Sequence, residues 1–191
     1  TNAYGDTFLH DFANVDAFKD LVAVKYPAII MSISQISETL FILTIPFFLK
    51  RFGIKKVMLF SMIAWIFRFG LFAYGDPAAN LWMIFLSCII YGMAFDFFNI
   101  SGSLFVETQS DQRIRASAQG LFMMMTNGFG AFLGSRLSGI VIDKYFLMAD
   151  GQFDWQGIWL AFAGYSLVVA ILFALFFKHK HDPEAVASLN H

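Results

Sequence analysis

Charged residues are scarce in this sequence. Only 14% of its 191 residues are Asp, Glu, Lys or Arg, whereas about a quarter is usual in a soluble domain. The formal net charge of −1 provides no excess of positive charge. We therefore expect no polyanionic partner such as a nucleic acid.

Side chains that carry catalysis or hold cofactors are also few. The single cysteine, Cys88, excludes a disulfide within the chain, and its apolar surroundings are typical of a small core residue. No HExxH motif and no glycine-rich phosphate loop occurs, and residues 164–166 lack the full G-x-S-x-G pattern. The histidines all lie outside the apolar segments described below, namely His10, His179, His181 and His191. We therefore expect no metal, no cofactor and no enzymatic activity.

Apolar residues dominate what is present. Hydrophobic residues make up 58% of the chain and 25 residues are Phe, which is more than a water-soluble core of this size can hide. Crossing a bilayer takes about 20 residues, and lipid leaves helices as the spanning structure. An all-α transmembrane protein is predicted, with five spans at 27–49, 57–74, 80–105, 117–142 and 157–177.

Lys and Arg are distributed unevenly between the two sets of connections. One set contains Lys50, Arg51, Lys55, Lys56, Arg113, Arg115, Lys178 and Lys180. The other contains Lys19, Lys25 and Lys144 among Asp6, Asp11, Asp16, Asp20, Asp76, Asp143, Asp150 and Asp154. The positive-inside rule places the first set, and with it the C-terminus, in the cytoplasm.

The first residues, TNAYGDTFLHDF, show neither an initiator Met nor a signal sequence. Five spans with a cytoplasmic C-terminus put the other end of the chain outside. We therefore expect residues 1–10 to be the outer end of a preceding helix, followed by a polar interfacial stretch at 14–25.

Two polar residues interrupt the first span, MSISQISETLFILTIPFFL. Gln35 lies three residues before Glu38, and Ser34 lies four before it, so all three are predicted to share one helical face. A charge at the bilayer centre costs about 3 kcal/mol, so it normally faces protein or water. The pattern favours a polar cavity at the midplane, with an interhelical packing network as the alternative.

A second carboxylate, Asp96, lies near the middle of the third span. Tyr91, Phe95 and Asn99 form a neighbouring stripe at i, i+4 and i+8, where a planar ligand could stack. Arg68 and Arg136 lie towards the outer halves of their spans. For these two arginines a structural role is favoured, either as ion-pair partners or as side chains that snorkel to the interface.

The fourth span contains small residues four apart. Gly130, Gly134 and Ser138 at this spacing predict a close helix-packing seam. Thr126 and Asn127 lie in the middle of the same span, where they either reach the polar cavity or serve packing.

Several stretches resemble a known family. The basic sequence LKRFGIKKV is similar to the turn repeated in both halves of major facilitator superfamily transporters. MSISQISETLFILTIPFFL, YGMAFDFFNISGS and IRASAQGLFMMMTNGFG resemble the nucleoside:proton symporter family within it. The resemblance covers nearly the whole chain and implies the C-terminal six-helix half of a twelve-helix fold. Residues 1–178 would hold the end of helix seven and helices eight to twelve, and residues 179–191 would form a cytoplasmic tail.

The resemblance also implies a function, namely proton-coupled import of nucleosides across the bacterial inner membrane by alternating access. The partners would be nucleosides, protons, the lipid bilayer and an N-terminal half. Carried over by motif, the substrate contacts would be Asn2, Gln35, Glu38, Tyr91 and Phe95. Asp96 is preferred over Glu38 as the carrier of the coupling proton. The alternatives are a major facilitator transporter for a sugar or drug and, from another class, an intramembrane enzyme with Glu38 and Asp96 as acid and base.

Overall fold

The computed structural model describes residues 2–14, 18, 20–77, 79–149 and 151–178, so the predicted tail at 179–191 lies outside it. These residues form eight α-helices, a short 3-10 helix at Phe12–Asn14 and a π-helical segment at Met124–Gly130. The α-helices are α1 (Asn2–Asp11), α2 (Val22–Lys25), α3 (Pro27–Ile42), α4 (Ile45–Tyr74), α5 (Leu81–Gln109), α6 (Arg115–Met123), α7 (Ala131–Tyr145) and α8 (Trp155–Phe176).

Among the described residues, α4, α5 and α8 are long and apolar enough to cross a membrane by length and composition. The prediction of five unbroken spans is corrected at two places. The span predicted at 27–49 stops as an α-helix at Ile42, and a two-residue turn separates α3 from α4. The span predicted at 117–142 is divided into α6 and α7 by the π-helical segment.

A kink at Gly53 marks the basic sequence LKRFGIKKV within α4. Gly53 has a φ of 76° and a ψ of 166°, whereas the residues on either side are helical. Glycine adopts this conformation without the steric cost that a Cβ brings. The kink separates residues 45–52 from the helix that continues to Tyr74, which is where the sequence predicted a turn between two spans.

Aromatic side chains fill the core at the α1 end of the bundle. Phe8 on α1 packs edge-to-face against Phe72 on α4 and Trp159 on α8, with ring centroids 5.8 Å apart in each case. The indole of Trp155 donates a hydrogen bond of 2.8 Å to Asp11. The segment predicted to be the end of a helix thus forms α1, which packs against α4 and α8. A second cluster, towards the kink, centres on Val57 and Phe97.

The helix α7 packs loosely against the described residues, so the predicted seam finds no close partner helix among them. A Cβ placed on Gly134 would meet no atom within 4 Å, and a cavity of about 800 Å³ separates α7 from α4 and α8. Ser138 does contact another element, through a 3.0 Å hydrogen bond with the Tyr4 hydroxyl. Small residues permit a close approach between helices, but they do not supply the side chains that would fill the gap.

Candidate functional site

A close contact between α3 and α5 positions the candidate site. A Cβ on Gly92 would lie 2.5 Å from the carbonyl carbon of Ser37 and 2.6 Å from the amide nitrogen of Glu38, so only glycine fits there. The Ser37 hydroxyl donates a hydrogen bond to the Ile89 carbonyl across the same contact. Glu38 is therefore held against the turn of α5 that precedes Asp96.

The polar residues of α3 divide between two faces. Ser34 is fully buried, Gln35 is exposed, and Glu38 is partly buried between them. Around the helix Glu38 lies about 40° from Ser34 and about 60° from Gln35, so the predicted common face runs from the buried side of α3 to its accessible side. Gln35 and Glu38 remain together on the accessible side, where a carboxamide and a carboxylate offer hydrogen-bond donors and acceptors.

Tyr91 and Phe95 form an aromatic pair on α5. Their rings stack with centroids 5.7 Å apart and an interplanar angle of 22°. Tyr91 is 7% exposed and Phe95 is partly buried, so Phe95 offers the larger accessible surface. A flat ligand ring stacks favourably on such a pair.

Asp96 lies one residue beyond this pair and is 7% exposed. Its Oδ2 atom is buried and finds no hydrogen-bond partner among the described residues. Gly92, which meets the backbone of Glu38, lies one helical turn before Asp96 on the same face of α5. The structure thus brings together the two carboxylates that the sequence singled out at the membrane midplane.

Arg68 lies inside the bundle. The expectation that it could snorkel is wrong, because its side chain has no exposed surface. Its Nη1 atom donates a 3.0 Å hydrogen bond to the Ser87 carbonyl, and its guanidinium carbon lies 4.3 Å from the centroid of Tyr91. Arg136, by contrast, is exposed on α7.

The sequence missed the surroundings of Arg68. Trp65 and Arg68 are three residues apart on α4, and Ser87 and Tyr91 are four apart on α5, so each pair shares a helical face. That spacing was readable in the sequence. What could not be read was that these two faces meet each other.

Several other polar residues near the site bond to groups within the bundle. Asn99 donates a 2.9 Å hydrogen bond to the Phe95 carbonyl one turn earlier, and Ser103 pairs with Gln119 of α6 at 2.7 Å. Thr126 donates to the Phe122 carbonyl at 2.8 Å, whereas Asn127 is exposed. The backbone of Asn2 opens α1, but its side chain lies outside the described residues.

Neither a metal-binding cluster among the described residues nor the cavity beside α7 contributes to this site. Within the ranges that the structure covers, no three His, Cys, Asp or Glu side chains come close enough to hold a metal ion. The cavity of about 800 Å³ beside α7 is lined by uncharged residues and is contacted by neither Glu38 nor Asp96. The carboxylates, the exposed carboxamide and the aromatic pair therefore define the candidate site.

Comparisons with known proteins agree with one another. The family described as "Nucleoside H+ symporter" matches residues 1–182. The xanthosine permease of Escherichia coli (strain K12) is 60% identical over 187 residues, which are 97% of this chain and 44% of the permease. The nucleoside permease NupG of the same organism is 59% identical over 182 residues, 95% of this chain and 43% of the permease.

Solved structures confirm the fold. Two crystal structures of nucleoside transporter NupG superpose on 92% and 93% of this chain with TM-scores of 0.87 and 0.86, at 58% sequence identity. The match covers 43% and 44% of those chains, so this chain spans less than half the length of its relatives. It corresponds to the C-terminal half of a major facilitator transporter, as the sequence predicted. The chain is a multi-pass membrane protein and belongs to the nucleoside H+ symporter family.

Proposed function

We propose that this chain forms the C-terminal half of a transporter that imports nucleosides together with protons by alternating access. Its family and its identity of 60% to a xanthosine permease and 59% to a nucleoside permease support this function. Alternating access requires a site near the midplane between two halves of the fold. The observation that carries the proposal is Glu38, partly buried on α3 and held by the Gly92 contact beside a stacked aromatic pair.

The proposed substrate contacts follow from the chemistry of a nucleoside. Gln35 and Glu38 would hydrogen-bond the ribose hydroxyls, because a carboxylate accepts and a carboxamide both accepts and donates. Phe95 and Tyr91 would stack on the base, an interaction worth about 1–3 kcal/mol per base. Asn2, at the start of α1, would supply a further polar contact.

Asp96 is proposed as the carrier of the coupling proton, with Glu38 as the other candidate. A charged carboxylate oxygen that is buried without a hydrogen-bond donor is costly, and the unpartnered Oδ2 of Asp96 fits that description among the described residues. A proton removes this cost. Movement of Asp96 between a buried and a hydrated environment during transport would therefore couple proton uptake to conformation.

The proposed setting is the bacterial inner membrane, with residues 1–178 as the membrane half and 179–191 as a cytoplasmic tail. The excess of Lys and Arg in the connections around 50–56 and 113–115 supports the cytoplasmic placement of those connections. The remaining half of the site would come from the N-terminal six helices. Gln35 is exposed and Glu38 partly exposed, and we expect that half to cover the face of α3 that carries them.

Nucleoside binding to the intact transporter with Glu38→Gln tests the proposal. The substitution keeps the shape of the side chain but removes its charge. Hydrogen bonds to charged groups contribute about 1.5–3 kcal/mol, so the Kd for nucleoside should rise roughly ten- to hundred-fold. Isothermal titration of detergent-purified protein measures this directly.

Glu107→Gln is the matched control. Glu107 lies on α5 far along the helix from the site, and its 3.7 Å ion pair with Arg115 is partly exposed to solvent, so nucleoside affinity should not change. An unchanged Kd in Glu38→Gln would remove Glu38 from the site. If the unsubstituted transporter bound hexoses or free bases but no nucleoside, the proposed function itself would be wrong.

A further inference from the structure

Arg68 is a buried cation to which neither the substrate contacts nor the proton site assigns a role. We propose that Arg68 is a positioning residue for the substrate site. Its guanidinium holds the Tyr91 ring in a position where the ring can stack with Phe95 and with a bound nucleobase. The inference rests on the proposed function, because it concerns the same site. It adds a residue on α4, one helix behind the residues that would touch the nucleoside.

Two hydrogen bonds, one donated by each residue, hold Arg68 of α4 against Ser87 of α5. Nη1 of Arg68 donates to the Ser87 carbonyl at 3.0 Å, and the Ser87 hydroxyl donates to the Arg68 carbonyl at 3.0 Å. Both side chains are fully buried. The guanidinium therefore has a defined position relative to α5 and does not sweep through several rotamers.

Aromatic rings surround the guanidinium. Its central carbon lies 4.3 Å from the Tyr91 centroid, 5.1 Å from that of Phe72 and 5.8 Å from that of Trp65. Cations within about 6 Å of a ring centroid are attracted by its π-face, and the attraction reaches about 2 kcal/mol when the pair is shielded from water. Tyr91 is the nearest ring, and Trp65 contacts it edge-to-face with centroids 5.6 Å apart.

This arrangement reaches the substrate site through the Tyr91 ring. Tyr91 stacks on Phe95 with ring centroids 5.7 Å apart, so the orientation of one ring constrains the other. The buried guanidinium thus acts on the aromatic side of the site.

A packing role alone does not explain an arginine here. A charge buried inside the membrane-spanning part of a protein is costly, and well-packed apolar residues often replace buried charges at no loss of stability. Lys would not serve the same purpose, because it lacks the planar guanidinium that stacks on a ring. Arg68 is fully buried, hydrogen bonds hold its guanidinium, and that group lies over the face of the Tyr91 ring. Together these observations point to a role in placing the ring.

A double-mutant cycle on the intact transporter tests the inference. Arg68→Gln, Tyr91→Leu and the double variant are compared by nucleoside Kd, with thermal unfolding as a check that each variant folds. Arg68→Gln should weaken binding about tenfold when Tyr91 is present. It should weaken binding less than about twofold when Tyr91 is already Leu, because the two residues act as one unit.

Arg68→Lys keeps the cycle decisive if Arg68→Gln does not fold. It retains the charge but not the planar group, so it should show the same dependence on Tyr91. The matched control is Arg136→Gln, on an exposed arginine of α7, whose effect should be additive with Tyr91→Leu. Additive losses for Arg68 and Tyr91 in a transporter that binds nucleoside would overturn the inference alone. Absence of nucleoside binding to the unsubstituted protein would overturn the proposed function together with the inference.

Discussion

At the scale of single residues, Asp96 and Glu38 differ in how the fold surrounds them. Asp96 is 7% exposed, with a buried oxygen that meets no donor among the described residues. Glu38 is partly buried on the accessible side of α3. A carboxylate that is sheltered and unpaired suits a proton carrier, whereas one that is accessible suits a contact with hydroxyl groups.

Asp96→Asn in the intact transporter should separate proton coupling from substrate movement. Asn cannot bind or release a proton, but it has nearly the same volume, so the variant should fold. We expect that acid-stimulated nucleoside accumulation in vesicles is lost, whereas exchange of labelled for unlabelled nucleoside continues. Asp143→Asn, on the exposed surface of α7, is the control and should accumulate nucleoside normally. Persistence of acid-stimulated accumulation in Asp96→Asn would assign the proton elsewhere.

The site residues were predictable from the sequence to the extent that each was unusual by itself. Glu38 and Asp96 stand out because a carboxylate in an apolar span needs a reason. Arg68 stands out in the same way, yet its burial depends on Ser87 and Tyr91, which lie on another helix. Which faces meet is decided by long-range packing, and the local period of the sequence does not contain that information. The role of Asn2 stays a prediction.

At the scale of helices, the contact between α3 and α5 should influence both the stability of the fold and the affinity for substrate. Gly92 allows α5 to approach the backbone of α3 at Ser37 and Glu38. The same approach brings the backbone of Glu38 to the turn of α5 that begins at Tyr91. Any change that separates these two helices should therefore affect both folding and substrate binding.

Gly92→Ala should show this link. The added Cβ would lie 2.5 Å from the Ser37 carbonyl carbon, so α3 must shift away. Overpacking of this kind costs about 1–3 kcal/mol, and the displacement of Glu38 should weaken nucleoside binding as well. We expect a lower thermal midpoint and a higher Kd in the intact transporter.

Gly70→Ala on α4 is the control for this substitution. A Cβ at Gly70 would meet nothing within 4 Å, and Ala favours a helix by about 1 kcal/mol over Gly. Its thermal midpoint should therefore stay the same or rise. Equal thermal midpoints for Gly92→Ala and Gly70→Ala would show that the close contact between α3 and α5 does not contribute to stability.

The helices themselves were largely predictable, and the irregularities were not. Hydropathy predicted helical segments at all five positions, because lipid forces backbone groups to pair within a helix. The π-helical segment at Met124–Gly130 was not anticipated. It lies between α6, which is fixed to α5 by the Ser103–Gln119 hydrogen bonds, and α7, which packs loosely. The hydropathy pattern does not distinguish the i→i+5 hydrogen bonds of a π-helix from the i→i+4 bonds of an α-helix.

At the scale of the whole molecule, the charge asymmetry between the two sets of connections predicts the orientation in the membrane. Gln112 lies in the cation-rich connection between α5 and α6, and Ala79 lies in the connection between α4 and α5. Both are exposed, whereas Cys88 is fully buried. A cysteine introduced at either position can therefore be labelled against a low background.

Ala79→Cys and Gln112→Cys in the intact transporter, with any cysteine outside this chain replaced, should react differently in living cells. A membrane-impermeant maleimide should label Ala79→Cys from outside, because its connection carries few cations and is placed on the outer face. Gln112→Cys should react only after the membrane is permeabilised. The transporter without an introduced cysteine is the control, since buried Cys88 should stay unlabelled in both conditions. The opposite labelling pattern would invert the orientation. It would place the C-terminus outside the cell and would contradict the assignment of residues 179–191 to the cytoplasm.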